Sequence, residues 1–220
     1  KVESARKFIN KIWNASRFVL MNSEGKDFKK LEDIRLTYAD KWILSRLNNV
    51  VKEVTINLNK YEIGLATGKL YDFVWSDFCD WYIEATKPML YGDNERAKLN
   101  ALTVLNFVLD EILKLMHPFI PFVTEEIYQY KQTGKCHALM MQEWPKYNKK
   151  FNYYKEAKAF EGVMDIIKAI RNVRNEMQVA PSKKIKVYVK AGEHAAVVEK
   201  LSTYIEKMAG VGEVVMTDEK

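Results

Sequence analysis

The chain has 220 residues, of which 48% are hydrophobic and 12% aromatic, with a formal net charge of +6. That length supports one large domain or a domain with an appendage, and the apolar content supports a packed core instead of disorder. No apolar run approaches the roughly 18 residues of a spanning helix, which argues against a membrane protein.

There is no basic-then-apolar leader of the signal-peptide kind, and the chain starts at Lys1 directly inside a helical pattern, as an excised piece of a longer protein would. Cys79 and Cys136 stand far apart without a second pair, which points to two inert thiols in a reducing, cytosolic setting. His137 follows Cys136, but neither repeats at ligand spacing, so no metal site is expected. Charge is unevenly spread. Residues 1–60 carry 13 Lys and Arg against 7 Asp and Glu, residues 61–145 carry 7 against 12, and residues 146–220 carry 15 against 10. A polyanionic partner is therefore expected on the first two helices and on the last part, not the middle.

Helical periodicity dominates the first two thirds. Helix one is predicted over about Val2–Asn22, with Ala5, Ile9, Ile12, Ser16, Val19 and Leu20 on its buried face. On a wheel of about 100° per residue, Lys7, Asn10, Asn14 and Arg17 fall within a sector of ~80° roughly opposite. No acidic residue lies between Glu3 and Glu24. Cations neutralise phosphates, and amides both donate to and accept from base edges, so the face fits a nucleic acid. Amides bonded to loops beside solvated cations would give the same pattern, and from the face alone that is the simpler reading.

Thr37-Tyr-Ala-Asp40 resembles a capping box with Asp for the usual Glu or Gln. It opens helix two, whose buried stripe is Ile43, Leu47, Val50, Val54, Leu58 and Tyr61. Beside that stripe sit Lys41, Trp42 and Arg46. Splayed bases stack on aromatic rings or guanidinium planes, although packing is the commoner fate of a Trp. Helix three is predicted over about Glu62–Leu90, apolar round much of its circumference and hence central. Gly64 and Gly68, four apart, read as a close helix contact, and Pro88 as a kink or an end. Helix four runs from about Asp93 to Met116, with His117 suited to its carbonyl end. The run MHPFIPFVTEEIYQY breaks and restarts a helix.

CHALMMQEWP reads as extended, leading to a polar linker at Lys146–Lys150. The remainder is a long helix over about Tyr153–Gln178, burying Val163, Ile166, Ile167, Ile170, Val173 and Met177. KIKVYVK then alternates as a strand, His194–Met208 is helical, and VGEVVM reads as a second strand. Lys168, Arg171, Arg174 and Asn175 form a further basic edge. Lys183, Lys184 and Lys186 either track a phosphate backbone or protect a strand edge. The expected fold is thus mainly α: a helical bundle over 1–145 and a small α/β extension over 146–220.

Catalytic patterns are missing. No Gly-rich phosphate loop, GxSxG, HExxH or paired-Cys motif occurs, and the carboxylate pairs Asp77/Asp80 and Glu125/Glu126 are explained by solvation and capping. No active site is expected in this chain.

KFINKIWNASRFVLMN, KLYDFVWSDFCDWYIEATKPML, HPFIPFVTEEIYQ and IRNVRNEMQVAPSKKIKVYV together resemble the C-terminal region of valyl-tRNA synthetases, among the class I aminoacyl-tRNA synthetases. HPFIPFVTEE is shared with the leucine and isoleucine enzymes, whereas FCDWYIEATKP and IRNVRNEMQVAPSKK are more characteristic of the valine enzyme. The resemblance spans nearly the whole chain. It implies a helical-bundle anticodon-binding domain followed by a small α/β extension, cut before a coiled-coil arm. The HIGH and KMSKS signatures do not occur here, so valine activation with ATP and Mg²⁺ would belong to a catalytic domain elsewhere, and the chain itself would hold no cofactor. The implied partner is the anticodon stem-loop of valine tRNA, with no DNA or membrane, in a cytoplasmic monomer. Arg17, Lys41 and Arg46 are candidate phosphate or base contacts, with Lys7 beside them. Asn10 and Asn14 are candidate polar readers and Trp42 a candidate stacking platform, with Lys168, Arg171 and Arg174 secondary. The alternatives are the matching domain of an isoleucine or leucine synthetase, or a helical scaffold for proteins.

Overall fold

The computed structural model describes residues 2–131, 137–180 and 182–217; Cys136 lies outside them. The chain divides into two compact units, Lys1–Tyr153 and Tyr154–Lys220.

Unit 1 is a helical bundle. Helix α1, Val2–Ser23, buries Ile12, Ala15, Ser16 and Val19. Ala5 is exposed and Ile9 half-buried, so the expected stripe holds only in the later turns. Its last carbonyls are met locally: Asn22 Nδ2 donates to Phe18 O and Ser23 Oγ to Val19 O, before Gly25 takes a left-handed turn at φ 67°. Helix α2, Tyr38–Asn59, opens on the full capping box, with Thr37 and Asp40 each satisfying the other's backbone N–H. It buries Trp42, Ile43, Leu47, Val50 and Val54. Tyr61 is not in the stripe. It follows the helix in a left-handed turn (φ 60°) and is 89% exposed.

Helical backbone then runs unbroken through α3, Ile63–Asp72, a π-helical stretch, Phe73–Tyr82, and α4, Ile83–Leu90. The wider register shows in the Ile83 N–H, which bonds to Phe78 O five residues back. Pro88, which lacks an N–H, sits within α4 two residues before its end. Gly64 and Gly68 do not mark a close packing: nothing lies within 4 Å of where either Cβ would stand. The most deeply buried helix is α5, Glu95–Met116, not the third. It starts at Asn94, which accepts from Ala97 N, and packs Leu102, Leu105, Leu109 and Ile112 at full burial. The third helix keeps Tyr71 exposed and Trp75 and Trp81 half-buried. After α5, His117 Nδ1 bonds to Thr124 Oγ1 in α6, Pro121–Lys131, across the Pro-rich break.

Leu139–Met141 forms a 3₁₀ turn where an extended segment was expected. The polar stretch after it is strapped onto α2. Trp144 Nε1 donates to Thr55 Oγ1, Asn48 exchanges bonds with the Asn148 backbone, and Ser45 Oγ donates to Phe151 O while accepting from Tyr153 N. Buried polar side chains on α2 thereby meet obligatory backbone groups of an irregular segment.

Unit 2 packs α7, Tyr154–Glu176, against α9, Ser202–Ala209, the second of two crossover helices that join the strands of a two-stranded parallel sheet. Strand β1, Ile185–Val189, is followed by α8, Ala195–Lys200, α9 and β2, Val211–Met216. Ile185 pairs with Val211 and Val189 with Met216, with an irregularity after Ile185. Gly210 ends α9 at φ 66°, a left-handed cap that glycine adopts without strain. Phe160, Val163 and Ile167 are buried in α7, but Val173 and Met177 are exposed, while Arg174 turns inward.

Candidate nucleic-acid interface

The polar sector of α1 lies on the outside of unit 1. Asn10, Asn14 and Arg17 are exposed, and the side chain of none of the three has a hydrogen bond or ion pair with another described residue. Lys7 is also exposed, but its Nζ meets Glu3 Oε1 at 2.9 Å one turn back. The sector is therefore acid-free beyond its first turn only. A surface pair of this kind contributes little and yields readily to a phosphate.

Helix α2 arranges its candidates differently. Trp42 is 1% exposed, inside the bundle core, so its ring has no face on which a base can stack. It occupies the buried stripe because positions 42, 43, 47, 50 and 54 together make a broader apolar face than the sequence pattern assigned. Lys41 Nζ lies 5.4 Å from the Tyr153 ring, and Arg46 Nε donates to Asp77 Oδ2 at 2.8 Å. Both keep structural company within unit 1.

The secondary candidates hold unit 2 together. Arg171 donates twice to Met208 O. Arg174, 8% exposed, donates to Gly210 O, Ala180 O and Lys183 O, fastening the end of α7 to the turns before each strand. Buried in that way, it offers no surface to a partner. Lys168 pairs with Asp165 at 3.0 Å. Lys186 faces Glu213 across the sheet, and that bond raises its pKa above the ordinary lysine value.

Two aromatic residues that the sequence reading passed over flank the α1 sector. Trp13, 38% exposed, meets Tyr130 of α6, 68% exposed, edge to face at 6.2 Å. Trp13 stands at the margin of the polar sector on the helical wheel, one turn before Arg17, and that position was the available signal. Beside this pair a cleft of about 1460 Å³ opens between α1, the loop over 24–36, α2, α5 and α6. Further along α1, Phe8, Tyr71 and Trp75 form a stacked row, with Lys11 Nζ 3.7 Å from the Trp75 centroid and 2.6 Å from Asp80.

Burial pushes the Cys79 thiol up to about 12, which leaves it a packing residue and not a nucleophile. Among the described residues no three His, Cys, Asp or Glu side chains gather in a way that could hold a metal ion. No described helix is long and apolar enough to cross a membrane.

Residues 40–189 match the family model described as the anticodon-binding domain of tRNA ligase. The chain is 49% identical over 211 residues to a valine–tRNA ligase of Clostridium acetobutylicum, covering 95% of this chain and 24% of that protein. It is 47% identical to that of Clostridium perfringens over its whole length, and 44% identical to that of Bacillus anthracis over 99% of it, each time 25% of the relative. The chain thus spans about a quarter of the length of these relatives. Helix α1 precedes the family match but falls within the relatives' alignments.

Proposed function

The chain belongs to the family of anticodon-binding domains of tRNA ligases, and from that premise we propose that it is the tRNA-reading portion of a valine–tRNA ligase. Its contact with the anticodon stem-loop is the outer sector of α1. The observation that carries this assignment is the row Asn10, Asn14 and Arg17, polar, exposed and with side chains bonded to no other described residue. A solvated helix face ordinarily mixes charge signs and satisfies itself by neighbouring pairs. This row leaves its donors and acceptors for something outside the chain, and its sign suits phosphate.

In this reading the whole protein joins valine to its tRNA at the expense of ATP, with Mg²⁺. Those ligands belong to the portion of the relatives that this chain does not span. The chain's own residues supply binding energy and anticodon discrimination, not bond chemistry. A cytoplasmic monomer acting on tRNA, and not on DNA, completes the proposal. A reader of unstacked loop bases has no use for a paired duplex.

The test is a titration with valine tRNA and with an anticodon-swapped variant at several salt concentrations. Tighter binding to the valine tRNA, with log K falling against log salt by roughly 0.7–0.9 per neutralised phosphate, is the expected result. Equal binding to both RNAs removes the recognition claim.

A further inference from the structure

The turn between α2 and α3 carries an inference that rests on the valine–tRNA ligase reading and extends it to the rest of that protein. Four large apolar side chains stand out of unit 1 around this turn. Ile56 and Ile63 are exposed, Leu65 is 58% exposed and Tyr61 89%. Single apolar residues scattered over a surface need no explanation, but four about one turn do. Tyr61 is also held at φ 60°, a backbone that a bulky side chain adopts only against steric cost, and its ring is presented to solvent.

The turn lies at the end of the bundle where α1 begins. Phe8 stacks on Tyr71 at 4.8 Å and Lys11 Nζ sits 3.7 Å from the Trp75 centroid, so α1 and the helical run from α3 advance side by side in one direction. Glu53 pairs with Lys69 and Arg46 with Asp77, so α2 runs the other way and ends where α3 starts. The first turns of α1 and α3 and the last turn of α2 therefore share one end of unit 1.

The chemistry of this end suits a protein partner and not RNA. Exposed Lys60 stands near exposed Glu62, and Lys69 is paired with Glu53 at 2.9 Å, so a polyanion finds no net attraction. A balanced rim round apolar side chains has the character of a contact between domains. Gly64 and Gly68 lie with Leu65 on the outer face of α3, within a sector of about 100°. Nothing in the chain comes within 4 Å of where either Cβ would stand. A glycine inside a helix costs backbone entropy, and within this chain no packing contact offsets it; what it permits is close approach by another backbone.

We propose that this end of unit 1, with Ile56, Tyr61, Ile63 and Leu65 around the two glycines, docks against the polypeptide that precedes α1 in the full-length ligase. This chain covers 24–25% of its relatives, so about three quarters of each lies outside the match. In a C-terminal region that polypeptide enters unit 1 through α1 and meets this end first. It covers the apolar side chains, and its backbone passes over Gly64 and Gly68.

Amide hydrogen exchange over residues 56–68 is compared between the 220-residue chain and the full-length ligase that contains it. The expected result is exchange slowed about tenfold or more in the full-length protein. Gly68→Leu fills open space in the 220-residue chain, keeps or raises its thermal midpoint and leaves its stem-loop affinity unchanged, yet cancels the slowing in the full-length protein. Leu65→Glu does the same from a side chain already exposed. Equal exchange in both proteins, in a ligase that charges valine tRNA, overturns the docking and leaves the tRNA reading standing. Slowing that survives both substitutions overturns it too, and so does slowing that appears in the 220-residue chain as its concentration rises, which assigns the patch to a second copy. A full-length protein that does not charge valine tRNA removes the ligase reading and the docking with it.

Discussion

Tyr82 donates its hydroxyl to Asp40 Oδ1 at 2.6 Å, joining the first turn of α2 to the end of the π-helical stretch in the core of unit 1. The other carboxylate oxygen of Asp40 accepts from Thr37 N and Thr37 Oγ1 at 2.8 and 2.7 Å. One side chain therefore completes a capping box and satisfies a buried phenol 42 residues away. Asp40→Ala removes the cap and takes this acceptor from the Tyr82 hydroxyl. A loss of about 2–4 kcal/mol in urea unfolding is expected. A change below about 0.5 kcal/mol would show that the pair does not anchor the helix.

The same carboxylate sets a pH dependence. Burial lifts the Asp40 pKa above its ordinary 3.8, outweighing the bonds from Tyr82 and Thr37 that act to lower it. The folded chain then holds this proton more tightly than the unfolded chain. The contribution to stability is full below the unfolded value and is lost as pH rises through the raised one. Asp40→Asn does not titrate, so its stability curve declines less over that interval than the wild-type curve. Parallel curves from about pH 4 to pH 8 would contradict the shift.

Much of this was legible in the sequence. The capping box, the helix starts at Asn94 and after His117, and both strands follow from local signals that tertiary contacts did not override. What escaped was the identity of inward-facing polar and aromatic residues. Trp42 and Arg46 are four residues apart on one helix, yet one is core and the other surface. The width of a buried face depends on which neighbours pack there, and periodicity fixes only its centre. Arg174 reads as a surface cation because nothing in sequence tells that three carbonyls converge on it from Ala180, Lys183 and Gly210. In the outer sector of α1, Asn10, Asn14 and Arg17 stand out by charge pattern. Trp13 was missed because a Trp at the edge of an apolar stripe looks like core.

Trp42 and Trp13 differ in what they contribute to stability. Trp42→Ala opens a large void in the core and costs about 3–5 kcal/mol of stability. Trp13→Ala costs under about 1.5 kcal/mol of stability, since its side chain is partly exposed. Thermal unfolding of the two variants checks the contrast, and equal losses would contradict the placement of Trp42.

Arg174→Ala leaves three inward carbonyls without their donor and is expected to destabilise unit 2 by roughly 2–4 kcal/mol. Amide hydrogen exchange in β1 and β2 reports it directly. Arg174→Lys restores little, because a single ammonium does not span the positions reached by a guanidinium fork. Full protection in the lysine variant would show that charge alone suffices.

The claim that the outer sector of α1 meets the anticodon loop is tested most directly by Arg17→Glu. Arg17 is exposed and bonded to no other described residue, so reversing its charge leaves the fold alone. We expect the thermal midpoint to hold, the dissociation constant for the valine anticodon stem-loop to rise at least about tenfold, and the salt slope to shrink by roughly one phosphate contact. A variant that binds the stem-loop with wild-type affinity and wild-type salt slope would contradict the assignment of this face.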